Sequence, residues 1–255
     1  MSHNGKGTGV LFGLMRDLAL WADVFETNRF VFCFDSRHNK RKQIYQRYKE
    51  NRRLELTDEE KAEKQLFYDE VERLREEDLF RLGFRNVFWT EGYEGDDVIA
   101  SVCLFSLGEN DRAIVVSRDS DLWQLITNRV SVYDPFGGKR RTVQWFAKQY
   151  GISPSQWADV KAIAGCNTDN VRGIEGVGEK SAVEFLAGTL DQKFKRYKAI
   201  IDGNDRWRRN LELVKLPFEG CPRYELNDDR LSRQRWKDVS RRWGLRSLRE
   251  FFPGR

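Results

Sequence analysis

Twice between Phe88 and Asp121 the chain runs from a short apolar stretch into a turn crowded with carboxylates. Val87 to Thr90 is β-branched and aromatic and stops at Glu91-Gly92, and Ala113 to Ser117 lies between Glu109-Asn110-Asp111 and an acidic turn. Both runs predict strands. Between them Val98, Ile99, Val102, Leu104 and Phe105 recur at helical spacing, which predicts a helix starting near Gly95. Strand, helix and strand in that order form a βαβ unit, whose strands run parallel and whose turns leave the sheet at one edge. In open α/β sheets that edge is where ligands bind.

Glu94, Asp96, Asp97, Asp119 and Asp121 are the carboxylates so gathered. Ionised carboxylates at close quarters raise one another's pKa unless a cation compensates them. Oxygen donors without His or Cys suit Mg²⁺ or Mn²⁺. For Glu94, Asp96 and Asp97 alone, a role at the positive end of a helix dipole fits as well. The second Asp-x-Asp, at Asp119 and Asp121, favours the metal.

A chain of 255 residues can bury a substantial core as one large domain or two small ones. A net charge of +5 and a pI of about 9.0 suit a solvated protein with a polyanionic partner. Cys33, Cys103, Cys166 and Cys221 lie far apart with no C-x-x-C pair, and there are only two histidines. That pattern predicts reduced thiols in an intracellular, cytoplasmic protein with no zinc site. There is no membrane-length apolar run and no signal-peptide core, so neither a membrane protein nor an exported one is expected.

Residues 2 to 9, SHNGKGTG, lack phosphate-loop spacing and read as a flexible segment. Val10 to Phe25 reads as an amphipathic helix with Leu11, Leu14, Leu18 and Trp21 on one face. Phe30 to Phe34 is a buried-strand run that ends at Asp35. From Arg37 to Arg53 there are eight Lys or Arg and one acid, with Ile44, Tyr45 and Tyr48 at helical spacing. Such a run is commonly a solvated face, but directly after a strand-end aspartate phosphate binding explains it better. Thr57 to Arg81 predicts a long charged helix with a Thr57/Glu60 capping box and an apolar stripe at Leu66, Phe67, Val71, Leu74 and Leu79. Leu122 to Ile126 reads as a helical turn, Arg129 to Tyr133 as a strand and Phe136 to Lys139 as a turn. No strand pattern recurs beyond Val143, which puts a domain boundary near Gly151.

Beyond that boundary Gln156 to Ala164 is a helix candidate, followed by GCNTDNVRGIEGVGEKSAVEFL. A helix precedes the Gly176-x-Gly178 loop and a third glycine is absent, which disfavours a dinucleotide site. A helix-hairpin-helix reading is better: glycines admit a phosphate to the backbone, and unpaired N–H groups at the new helix start bind it without base preference. In the tail, Trp236, Trp243 and Leu248 suit a buried helix face, with the many arginines solvated or turned to nucleic acid.

GYEGDDVIAS followed by VVSRDSDLWQLI resembles the acidic motifs of the 5′→3′ exonuclease and flap endonuclease family. FDSRHNKRKQIYQRYKENR resembles its strand-end aspartate and basic helix ending in Y-K-x-N-R, the glycine segment its helix-two-turn-helix element, and NLELVKLP the stretch closing that element. The resemblance implies an α/β fold with a mainly parallel central sheet flanked by helices, followed by an all-α domain. In this scheme residues 1–150 are the nuclease domain with a basic helical gateway at 37–66, and 151–255 are a DNA-binding domain with the helix-two-turn-helix at 156–190. It also implies two Mg²⁺ or Mn²⁺ ions held by Asp35, Glu94, Asp96, Asp97, Asp119, Asp121 and Asp169. Lys49 and Arg52 would hold the scissile phosphate; Arg37, Lys40, Arg41, Lys42, Arg47, Gly173, Gly176, Gly178, Lys180 and Ser181 would contact DNA, with K⁺ in the hairpin turn. The implied partner of this monomer is DNA with a single-stranded 5′ end or flap beside duplex. Two features depart from the pattern: the family's opening strand, ending in Asp-Gly, has no counterpart here, and Cys166 stands where the helix-two-turn-helix motif has its first aspartate. They leave room for a nuclease-like protein that binds branched DNA without cutting it. A small RNase of related architecture is a more remote reading.

Overall fold

The computed structural model describes residues 2–3, 5–52 and 57–253, the side chain of Arg52 excepted. In chain order its elements are β1 (Ser2–His3), β2 (Lys6–Gly7), α1 (Gly9–Val24), β3 (Phe32–Cys33), α2 (Arg41–Ile44), α3 (Asp58–Arg73), α4 (Leu79–Leu82), β4 (Val87–Phe88) and α5 (Gly95–Phe105). There follow β5 (Ala113–Val116), β6 (Val130–Asp134), β7 (Lys139–Arg141), α6 (Val143–Tyr150), α7 (Trp157–Ala164), β8 (Gly165–Cys166), β9 (Val171–Arg172), α8 (Glu179–Leu186), α9 (Lys195–Asp202), α10 (Asn204–Val214) and α11 (Arg233–Arg242). They form two compact units. No helix among the described residues is long and apolar enough to cross a membrane.

The first unit comprises Met1–Phe34, Glu55–Phe88 and Leu226–Arg255. On α1 the buried positions Leu11, Met15 and Leu18 recur every three to four residues, so one stripe of the helix enters the core. There it meets Leu74, Leu79, Leu82 and Phe84 and, from the tail, Trp236, Val239 and Trp243. Each such side chain contributes about 1.5–3 kcal/mol by leaving water. The tail's tryptophans are therefore core residues and not a stacking platform for bases. Thr57 and Glu60 form the expected capping box on α3. The single helix expected to Arg81 is instead broken by a π-helical turn, Leu74–Asp78. That extra residue accompanies the buried Asp78 carboxylate, which accepts from Arg73 Nε at 3.0 Å and Trp243 Nε1 at 2.8 Å. Leu66 and Phe67, expected on the apolar stripe, are exposed.

The second unit comprises Asp35–Leu54 and Trp89–Glu225. Parallel β5 and β6 pair Ala113 with Val130 and Val116 with Tyr133, and β7 returns antiparallel after the Phe136 to Lys139 turn. This three-stranded sheet is thus mixed, whereas in the first unit β3 pairs in parallel with β4. The expected strand, helix and strand are all present, and β5 takes as its parallel partner β6, a neighbour that periodicity does not name.

The division expected near Gly151 does not separate these units. Trp157, Val160 and Ile163 of α7 share one core with Val115, Val130, Val132 and Phe146. Trp123 lies 5.1 Å from Trp157 and 5.4 Å from Trp145, centroid to centroid, so aromatic side chains on both sides of residue 151 interlock. Strand structure also recurs past Val143, as the short antiparallel hairpin β8–β9.

Candidate active site

Every described candidate residue lies in the second unit. Helix α5 begins with a capping box in which Glu94 is the N-cap and the Glu94 N–H donates to Asp97 Oδ2 at 3.0 Å. The next N–H, of Gly95, donates to Asp35 Oδ1 at 2.7 Å, so the aspartate after β3 is drawn to the start of α5. Asp119 caps the 3₁₀ turn after β5 by accepting from the Asp121 N–H at 2.8 Å. Burial, with Asp119, Glu94 and Asp35 as neighbours, pushes Asp96 up to about 8. Burial is the larger cause and like charge the lesser, and a divalent cation beside Asp96 would offset both.

An aspartate whose pKa is higher folded than unfolded binds more protons in the folded state, so it costs stability as pH rises from the ordinary aspartate range to about 8. Asp96→Asn is therefore expected to stabilise the metal-free protein by several kcal/mol near pH 8 and to change little near pH 4. Urea unfolding at both pH values measures this. Equal stability of the two proteins near pH 8 would mean that Asp96 is not strained by its neighbours.

Two members of the expected set have other roles. Asp97 is fully buried, and Arg41 donates to both its oxygens, at 2.6 and 2.7 Å. The Phe218 N–H adds a bond to Asp97 at 2.8 Å, leaving this carboxylate committed within the protein. Arg41, expected on DNA, is itself buried and donates through Nε to the Leu213 carbonyl at 2.7 Å. It anchors the basic segment to α10. That segment is not the continuous helix expected: α2 spans only Arg41–Ile44, and a 3₁₀ turn, Glu50–Arg52, follows. Residues 53 to 56 of the proposed gateway, and the Arg52 side chain, lie outside the described residues.

The segment is tied instead to the turn after α7. Lys49 takes a left-handed conformation, φ 55°, and its N–H donates to the Asp169 carbonyl at 2.9 Å. Asn170 Nδ2 donates to the Arg47 carbonyl at 2.7 Å, and Asn51 Nδ2 to the Asn167 carbonyl at 2.6 Å. A non-glycine residue in this region costs of order 1–3 kcal/mol and persists where its surroundings hold it. Here they aim the Lys49 ammonium at Glu94 and, at 3.7 Å, at Asp169. Tyr48, absent from the expected site, lies buried between the same two acids, its hydroxyl 2.9 Å from Glu94 and 3.0 Å from Asp169. One hydroxyl hydrogen serves only one of them.

Asp121, Cys166 and Asp169 offer ligand atoms that all lie within 4.8 Å of one another. Lys161, also absent from the expected site, places its ammonium 3.1 Å from Asp121 and 2.8 Å from Ser120 Oγ. Burial, and then the neighbouring Asp119 and Asp169, push Asp121 up, against Lys161. The signal for Lys161 was its position as a lone cation within the apolar VKAIAG run.

The hairpin has divided roles. A side chain on Gly173 would strike the Ala164 backbone at 2.2 Å, so glycine is required there by packing. Gly176, at φ 73°, and Gly178 face open space, Lys180 is exposed and Ser181 is half-buried at the start of α8. The helix has no side-chain N-cap, which leaves the N–H groups of its first turn to a ligand or water. Asn210 locks the base of this element by donating to the carbonyls of Ala162 and Arg172, each at 2.9 Å. Arg37, Lys42 and Arg47 are exposed, whereas Lys40 lies over the Tyr93 ring and donates to its hydroxyl at 3.0 Å.

A family model described as 5′-3′ exonuclease, N-terminal resolvase-like domain matches residues 1–151. The 5′-3′ exonuclease of Bacillus subtilis is 29% identical over 242 residues, covering 92% of this chain and 73% of that protein. The thermostable DNA polymerase I of Thermus thermophilus is 34% identical over 132 residues, 50% of this chain and 16% of the polymerase. This chain therefore spans a small fraction of the polymerases it matches. A bacteriophage T5 flap endonuclease, solved as a pseudo-enzyme-product complex with DNA and metal ions, superposes with a TM-score of 0.71 at 22% identity, over 98% of this chain and 92% of that one.

Proposed function

Because this chain belongs to the 5′-3′ exonuclease family and carries its N-terminal resolvase-like domain, we propose that it hydrolyses phosphodiester bonds at 5′ ends or 5′ flaps of branched DNA. The observation that carries this reading is the acidic start of α5, where the Gly95 N–H holds Asp35 at 2.7 Å and Lys49 pairs with Glu94, with Asp96 and Asp119 as neighbouring carboxylates. That donor set fits hard divalent cations, Mg²⁺ or Mn²⁺, and a second ion would fall to Asp121 and Asp169. Bound there, such ions supply Lewis acidity and ease deprotonation of an attacking water.

The chain's own residues do the rest. Lys49 exchanges Glu94 for the scissile phosphate and offsets charge as it develops there, with Arg52 as its companion. Tyr48 and Arg41 hold Glu94 while Lys49 is away, Arg41 through a contact of 3.3 Å. The Gly176 to Gly178 turn, Lys180 and the first N–H groups of α8 grip the duplex by its phosphates, and Arg37, Lys42 and Arg47 steer the single strand. The K⁺ of the hairpin turn and the helical gateway belong to the same proposal. All described candidate residues come from one unit of one chain, which supports action as a monomer. Four free cysteines suit an intracellular setting.

The test is incubation with end-labelled 5′-flap, nicked and hairpin DNA in Mg²⁺, Mn²⁺ or EDTA. Metal-dependent cleavage at the flap junction is expected. Binding without cleavage in every metal would favour a structure-specific DNA-binding protein, a reading that Cys166 and the Lys161–Asp121 pair support. On the same substrate Lys49→Ala is expected to lower turnover about 100-fold and to weaken DNA binding less than about threefold. Weakened binding with normal turnover would make Lys49 a steering charge only.

A further inference from the structure

Cys166 occupies a place where the resemblance has an aspartate, and its surroundings show what the exchange does. Its Sγ lies 3.8 Å from Asp121 Oδ2, and with Asp169 the three ligand atoms fall within 4.8 Å. A tetrahedral ion with a sulfur bond of about 2.3 Å and an oxygen bond of about 2.0 Å sets sulfur and oxygen about 3.5 Å apart. The pair needs to close by only about 0.3 Å to meet that geometry. Mg²⁺ asks for octahedral oxygens at 2.0–2.1 Å, and a thiolate is a poor substitute for one of them. The nearby ammonium of Lys161 also compensates Asp121 without metal, and its bond to Ser120 Oγ at 2.8 Å gives it a place to remain when Asp121 turns to an ion.

We propose that Asp121, Cys166 and Asp169 form a mixed thiolate–carboxylate site for one borderline divalent cation, of which Zn²⁺ is the type, and that the thiol discriminates there against Mg²⁺. On binding, the Cys166 S–H bond breaks, its proton passes to solvent and the sulfur electron pair forms the bond to the ion. No oxidant or reductant takes part. The site refines the nuclease reading by giving its second ion a different chemistry from the first.

The experiment uses the full metal-free chain, without DNA, titrated with Co²⁺ as a coloured stand-in for Zn²⁺. One equivalent is expected to produce a sulfur-to-metal charge-transfer band that Zn²⁺ abolishes by displacement and excess Mg²⁺ does not. Cys166→Ser, close to isosteric, is expected to lose the band and to bind Zn²⁺ about tenfold or more weakly. Cys166→Asp should also lose it and show a larger rise in unfolding temperature on adding Mg²⁺ than the wild type does. The wild-type titration stands even if a variant fails to fold. Absence of the band in the wild type, or its persistence in folded Cys166→Ser, overturns the proposal. If the thiol only packs against Thr168 Oγ1, 3.0 Å away, no band forms. A charge-transfer band from a protein that cuts no flap would remove the nuclease reading and keep the site; cleavage without the band would do the reverse.

Discussion

Arg41→Met is expected to destabilise the protein by about 3–5 kcal/mol, the cost of leaving a buried charge without its partner. The substitution keeps most of the side-chain length but removes both hydrogen bonds to Asp97 and the bond to the Leu213 carbonyl. Asp97, fully buried, would keep only backbone donors, the N–H groups of Glu94 and Phe218. Chemical denaturation measures the loss, and a value below about 1 kcal/mol would show that Asp97 escapes to water or takes up a proton at little cost. Adding Asp97→Asn to Arg41→Met should restore part of the stability, because the orphaned charge is then gone. If the double variant is no better than the single one, the loss is one of packing against the Phe218 ring, 4.8 Å from the guanidinium. Arg41 also ties α2 to α10, so its loss should loosen the segment that carries Tyr48 and Lys49.

Asp119→Asn with Asp121→Asn is expected to lower flap hydrolysis by at least about 10³-fold, equivalent to ~4 kcal/mol of transition-state stabilisation. Both candidate metal groups lose an ionised oxygen, while the hairpin start of α8 and the exposed Arg37, Lys42 and Arg47 are untouched. DNA affinity measured in EDTA should therefore persist and fall steeply with salt. Asparagine can still accept from the Asp121-position N–H, so the 3₁₀ turn after β5 should survive. Cleavage by the double variant at the wild-type rate would remove both aspartates from the reaction. Loss of binding along with cleavage would mean that the acidic turns also shape the DNA surface.

The acidic turns were legible because their signal is local. Hydrophobic periodicity placed the start of α5 at Gly95, and the carboxylates at each strand exit could be counted without a fold. What local pattern does not contain is the partner of each charge. Arg41 and Arg37 stand in one basic run, yet one is buried and the other exposed, because a run of charge records no contact with Asp97 or Leu213, 56 and 172 residues away.

By itself, then, the sequence determined α1, α5, β5 and β6, the acidic clusters and the glycine turn that opens α8. Those depend on side-chain periodicity and on backbone freedom at single residues, and both are properties of a few neighbouring positions. Tertiary structure alone decided that Asp97 braces Arg41, that Gly173 packs against Ala164, and that Tyr48 and Lys161 stand beside the acids. It also put the tail's tryptophans in the first unit's core, and α7 in one core with β5 and β6. The physical reason is common to all of them. Desolvation and charge pairing depend on which surfaces meet when distant segments pack, and a residue's own neighbours in the chain do not specify that meeting.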